Sequence, residues 1–305
     1  MKILPRNQHG QALLIVLLTL AVTLTVVLSV VSRSVTDITV STYEEDALRA
    51  FSAAEAGIEE ALLKGSIEDP VPVTIEEGVT YDVKIEDKTI DGKSFRYPKD
   101  LVSGETATFW FASHNNNGEL TCSGKPCFIN NIVRFCWGNP VASTVPAIEV
   151  MFYYDLTGNA MSSPNNYANV KVKRSAYDKY WVTRGNYFND PTSGSGCNFS
   201  GDIFAYRAQI SVNTHIGVSC QTAGVNVGCP IMAKVRMYYA NINEPQKLGI
   251  EVSGPTANIP PQGLLIDSKG IAGESTRRIN VFQGFAEPPA FFDTAVFSRV
   301  DLVKQ

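Results

Sequence analysis

Along the first 65 residues the apolar positions do not alternate; they run together and then thin into a helical period. From Gln11 to Val31 there are 21 residues without a charge, 14 of them Leu, Ile or Val, and neither Gly nor Pro occurs from Gln11 to Ala56. About 20 apolar residues is what ~30 Å of hydrocarbon requires. Each Leu, Ile or Val favours insertion at the bilayer centre by about 0.3 to 0.6 kcal/mol. The run therefore predicts a transmembrane helix over about 11–31. It is too long for the apolar core of a cleaved secretory signal, and charged residues follow it. Thr19, Thr23, Thr25 and Ser29 suit lipid because each hydroxyl can bond a carbonyl one turn earlier.

The helical signal continues past Val31. Val31, Val35, Ile38, Thr42, Phe51, Ala54, Ile58 and Leu62 keep helical spacing, and the Ala-Gly face reads as close packing of small residues on the β-rich domain, with a subunit contact through it and Glu55 as the alternative. Asp37, Glu44, Glu45, Asp46, Arg49, Glu55, Glu59 and Glu60 occupy the other faces, so this half is amphipathic and suited to lie on a globular domain. Gly65 is a natural stop. A single helix over 11–64 is expected, roughly 80 Å long.

After Gly65 the period changes to two. Val79 to Ile85 and Phe204 to Val212 alternate cleanly, and further strand candidates are 106–112, 131–137, 147–154, 169–173, 231–239, 248–252 and 277–285. Turn residues separate them, as at Asp91-Gly92, Thr157-Gly158-Asn159 and Ser253-Gly254-Pro255. The fold class read from the chain is α+β: a long N-terminal helix, its N-terminal half transmembrane, packed on a large antiparallel β-rich domain over 66–305.

Charge and candidate chemistry narrow the function. The net charge of −4 leaves no basic field for nucleic acid. Lys2 and Arg6 precede the apolar run and mainly acidic residues follow it, which places the N-terminus in the cytoplasm and the C-terminal bulk outside. The six cysteines, Cys122, Cys127, Cys136, Cys197, Cys220 and Cys229, all lie on that outer side, where an even number suggests disulfides. Ser-Gly-Lys-Pro can turn the chain between Cys122 and Cys127, and a Gly-containing loop joins Cys220 to Cys229. Pairing within those loops would leave Cys136 with Cys197. Free buried thiols remain open. Zinc is disfavoured because no Cys-x-x-Cys pair is present.

No catalytic motif or cofactor fingerprint is present, and no enzyme is expected. His114, in an Asn-rich loop, and His215 read as surface or hydrogen-bonded residues. The loops 155–159 and 189–196 carry oxygen ligands for calcium, yet neither matches an EF-hand, and ordinary turns are the better reading. From Met161 to Gly201, Asn, Ser and Gly mix with Tyr167, Tyr177, Tyr180, Trp181, Tyr187 and Phe188. Core or cross-strand packing is their ordinary use; an exposed contact surface is the alternative.

One stretch carries a family resemblance. A short basic leader ending in Gly10, an uncharged apolar helix and the run Ala50-Phe51-Ser52-Ala53-Ala54-Glu55-Ala56-Gly57-Ile58-Glu59-Glu60-Ala61 resemble type IV pilin-like proteins. PilX-type minor pilins and the tip pseudopilins of type II secretion are the nearest in pattern. The resemblance covers about residues 1–65. It implies cleavage of a 1–10 leader between Gly10 and Gln11 by a prepilin peptidase, methylation of the new amine, and assembly into a cell-surface filament. The implied partners are other pilin or pseudopilin subunits, that peptidase, an inner-membrane assembly platform, and membrane lipid before assembly. Loss of Lys2 and Arg6 with the leader would take the net charge from −4 to −6.

Most major pilins have a glutamate at the fifth mature position, whose carboxylate neutralises a neighbour's amine; this chain has Ile15 there. An unpaired ammonium in an apolar filament core costs several kcal/mol. A subunit with Ile15 suits the end of a filament, where no amine above it needs a partner. The function expected is a low-abundance minor pilin or pseudopilin near the tip. The alternative is a single-pass anchored binding protein or adhesin that never enters a filament.

Overall fold

The computed structural model describes residues 9–64, 72–87, 92–115, 117–162, 164–191, 197–217, 229–254 and 258–287. In chain order its elements are α1 (His9–Lys64), β1 (Val73–Glu76), β2 (Val79–Asp87), β3 (Ser94–Arg96), β4 (Thr106–Trp110), β5 (Ser113–His114), β6 (Leu120–Thr121), β7 (Ile132–Trp137) and β8 (Ala147–Asp155). There follow β9 (Val170–Tyr177), α2 (Trp181–Arg184), β10 (Asn198–Phe199), β11 (Asp202–Ile203), β12 (Tyr206–Ser211), α3 (Val212–Ile216), β13 (Pro230–Tyr238), β14 (Leu248–Val252), β15 (Gly263–Ala272) and β16 (Ser275–Gly284). They fall into two compact units, one drawn from 1–85 and 266–281, the other from 86–265 and 282–305. The β-rich segment expected over 66–305 thus contributes strands to both.

In the first unit α1 runs unbroken for 56 residues. The described side chains from Leu13 to Glu45 are all exposed. From Ala50 onward one face is buried, made by Ala50, Ala53, Ala54, Gly57, Ile58 and Ala61 at three- and four-residue steps. It packs with Val79, Tyr81 and Val83 of β2 and Ile266 and Ala272 of β15, in a sheet ordered β1-β2-β15-β16.

The close packing expected of the Ala-Gly face is therefore seen, and it takes in Ala54 and Ile58, whereas Phe51, Leu62, Val35 and Ile38, which share the helical spacing, are exposed. The reason is distance. A Cβ on Gly270 would stand 1.9 Å from the Ala50 carbonyl oxygen and 2.6 Å from the Ala54 nitrogen, and one on Gly57 would stand 2.3 Å from Ser268 Oγ. Backbones this close admit only small residues. β15 did not show in the sequence pattern because its buried face carries Ser268 and Gly270 in place of apolar residues.

The second unit is built on two four-stranded sheets, ordered β12-β7-β14-β3 and β4-β13-β8-β9, with neighbours antiparallel. Their inner faces share one core. Phe135 of one sheet lies 6.2 Å from Phe109 and 5.6 Å from Phe152 of the other, centre to centre and edge to face. Such aromatic pairs add about 0.5 to 1.5 kcal/mol beyond the area they bury. On the outer face of the first sheet, Arg134 hydrogen-bonds Gln209 at 3.0 Å and pairs with Glu251 at 3.2 Å across neighbouring strands. Hence β7 keeps its polar residue outward. A further cluster around Trp110, Met161 and Met232 packs with the Cys122 and Cys127 side chains.

Candidate functional site

The residues singled out at the N-terminus lie on α1. Gly10 and Gln11 fall in its first turns, and Ile15 is on its exposed part. The hydroxyls of Thr19, Thr23 and Thr25 donate to the carbonyls of Val16, Leu20 and Val22 at 2.8 to 3.0 Å, so these side chains present methyl groups outward. Among the described residues α1 is the one helix long and apolar enough to cross a membrane. That is compatible with single-pass anchoring.

The structure joins Cys122 to Cys127, with Cα atoms 5.6 Å apart, and Cys136 to Cys197 at 5.8 Å. The first closes the turn after β6. The second ties β7 to the β10–β11 hairpin beside Phe199 and Phe204. Cys229 is also disulfide-bonded, while Cys220 lies outside the described residues.

A third set of residues gathers at one end of the two-sheet unit. The segments 138–146, 178–190 and 239–247 leave β7, β9 and β13 where Tyr177 pairs with Ile148, Tyr238 with Ala147, and Trp137 with Leu248. Asp178 is fully buried there. Its carboxylate accepts the Tyr180 N–H at 2.8 Å, Arg184 Nη1 at 2.8 Å and Asn186 Nδ2 at 2.6 Å. The other guanidinium nitrogen, Nη2, donates to the Val145 carbonyl at 2.8 Å. The same guanidinium lies 4.0 Å from the Tyr239 ring centre and 5.5 Å from that of Tyr180.

Glu244 accepts the N–H and hydroxyl groups of both Ser143 and Thr144. These donors, the Ser143 N–H foremost, hold its carboxyl down to about 2. Gln246 is buried, takes the Asn139 N–H at 2.9 Å and donates to the Glu244 carbonyl at 2.8 Å. The three loops are thus locked to one another by hydrogen-bonded polar and charged groups. On this frame Tyr180, Trp181, Tyr187 and Tyr239 are exposed, Tyr187 at 93%. Tyr187 and Tyr239 hold left-handed backbone, φ 57° and 59°, a conformation that costs a bulky residue about 1 to 3 kcal/mol.

No family model and no curated protein matches this chain.

The aromatic stretch therefore divides between the two uses its composition allows. Phe188 is half-buried and meets Tyr238 at 6.1 Å, edge to face, whereas Tyr167, Tyr180, Trp181 and Tyr187 face solvent. Tyr239 and Arg184 were not singled out by sequence; the Arg184–Asp178 pairing depends on a turn that no local pattern encodes. Of the two histidines, His215 is hydrogen-bonded as expected and His114 differs. His114 is buried on β5, edge-on to Trp110 at 4.4 Å and stacked on Phe285 at 4.0 Å, and its Nδ1 has no hydrogen-bond partner. Burial, helped by Lys125, pushes it down to about 4. His215 is half-buried, with Ser175 Oγ 3.4 Å away, and is also shifted down by burial and by Lys173. At the 155–159 loop, burial would raise Asp155, but donors from Thr157, Ala160 and Asn159 outweigh it and hold the carboxyl below its usual range. That carboxylate is committed to the turn, with Thr157 N–H at 2.8 Å and Ala160 N–H at 2.9 Å. Residues 192–196 of the second loop lie outside the described set.

Proposed function

We propose that this chain is a membrane-anchored structural subunit of pilin-like design, made to enter a pilus-like filament in few copies at or near its tip. The observation that carries the reading is the division of α1. Its first half, Leu13 to Glu45, is exposed to its last described side chain, while its last turns are buried through alanine and glycine. An exposed run rich in Leu, Ile and Val must be covered by lipid or by other helices. The Gly10-Gln11 junction and the Ala50–Ala61 run support a pilin-like version of that design. Ile15 supports the tip, for the charge reason given above.

The partners are then neighbouring pilin or pseudopilin subunits, a prepilin peptidase acting after Gly10, and an inner-membrane assembly platform. Mass spectrometry of the native N-terminus tests the proposal. A mature chain starting at methylated Gln11 is expected, and an intact Met1 in the membrane fraction would sink the filament reading. Immunogold against the second unit should label filament ends. Label along the whole shaft would refute the tip placement. A second reading, a single-pass anchored binding protein, is favoured by the exposed aromatic loops, and absence from sheared filaments would select it.

A further inference from the structure

We propose that the loop end formed by 138–146, 178–190 and 239–247 is a binding site for a neutral oligosaccharide. The proposal goes beyond the filament reading and does not depend on it. The chemistry of the surface selects the ligand class. Tyr180, Trp181, Tyr187 and Tyr239 expose rings, and the electron-rich face of a ring attracts the polarised C–H groups on the flat side of a pyranose. Phenol and indole edges add hydrogen-bonding groups at the margin of each ring.

Charge narrows the class further. The Arg184 cation is matched by the buried Asp178 carboxylate and lies over Tyr239, Lys179 pairs with Asp190 at 3.2 Å, and the Glu244 carboxylate is held ionised by four uncharged donors. With the cations paired and an anion left at Glu244, the surface has little to attract an acidic glycan or a polyanion and suits an uncharged polyol.

Rigidity points the same way. A sugar makes few contacts and cannot pay for ordering its site, so the loops must be fixed beforehand. Here they are fixed by buried polar groups, Asp178 and Gln246 among them, and Tyr187 sits on a left-handed backbone within that frame.

The test uses the full chain in a detergent without a sugar headgroup, screened on a panel of neutral and acidic oligosaccharides. Retention of a neutral class is expected, nearly unchanged between about 0.05 and 0.5 M salt, since no ion pair is made. Tyr239→Ala and Trp181→Ala should weaken it about tenfold or more, with Tyr167→Ala, an exposed ring outside these loops, as the neutral control. Tyr187→Gly guards against misfolding, because glycine accepts its backbone angle without strain; it should fold at least as well and still bind less. No retained neutral glycan, retention of acidic glycans only, or binding indifferent to all three ring variants would overturn the proposal. So would self-association abolished by Tyr239→Ala, which would make this face a contact between copies.

Discussion

The two units solve the same problem, burying a sheet face, with opposite materials. In the first, Ala50, Ala53, Ala54, Gly57 and Ala61 lay a helix almost directly on β15, and the gain comes from backbone proximity. In the second, Phe95, Phe109, Phe111, Phe128, Phe135, Trp137 and Phe152 fill the space between two sheets, and the gain comes from area. Large side chains tolerate a degree of repacking, since neighbours can relax into lost volume. A backbone-to-backbone contact has nothing to relax. The two cores should therefore fail differently.

Phe109→Ala should cost the second unit about 3 to 5 kcal/mol, because Phe109 is fully buried and meets Phe95, Tyr97 and Phe135. All three tryptophans, Trp110, Trp137 and Trp181, lie in that unit. Urea unfolding followed by tryptophan fluorescence isolates the effect, and an unmoved midpoint would deny the aromatic core its role. Gly270→Ala adds a single methyl group yet should cost about 3 kcal/mol, at the upper end for overpacking, since the clash is with the Ala50 and Ala54 backbone. Hydrogen exchange at 266–272 and 50–61 should quicken. If those amides stay protected, helix and strand are not held as closely as described.

How much of this contrast was legible in the chain follows from range. The apolar run, its hydroxyl-bearing turns and the alternation of β2, β7 and β12 are local, and the residues alone place them. The Ala-Gly face of α1 was legible as a packing side, but the helical spacing also ran through Phe51 and Leu62, which stay exposed because the fold requires the smaller residue against the sheet. Gly270 explains why, but only once the helix lies over it. The loop end was half visible as a Tyr- and Asn-rich stretch. Its organising pair, Asp178 with Arg184, is joined by the local turn through α2, and Tyr239 is brought over Arg184 by the sheet and by no sequence pattern.

A titration sharpens the comparison within the second unit, whose aromatic packing includes a histidine. Burial holds His114 neutral, down to about 4 against an ordinary value of 6.5. As pH falls below about 6.5 the unfolded chain takes up a proton that the folded chain refuses, so stability drops until about pH 4 and then levels. The loss attributable to this group is at most about 3 kcal/mol. His114→Phe should flatten that part of the profile relative to the parent. Parallel curves from pH 7 to 4 would show that His114 is not held neutral.

The smallest expected effect is a difference between two disulfides. Cys136–Cys197 spans 61 residues and Cys122–Cys127 spans 5. Closing the longer loop removes more freedom from the unfolded chain: about 4 kcal/mol against about 2 kcal/mol on the chain-entropy estimate. The double variant Cys136→Ala with Cys197→Ala should therefore lose about 2 kcal/mol more than Cys122→Ala with Cys127→Ala, both read by tryptophan fluorescence in urea. Packing works in the same direction, since Cys136 lies wholly buried beside Phe204 whereas Cys122 and Cys127 are only partly covered. Equal losses from the two pairs would mean that the short bridge stabilises the folded turn directly, and that the Trp110 cluster beside it depends on that turn.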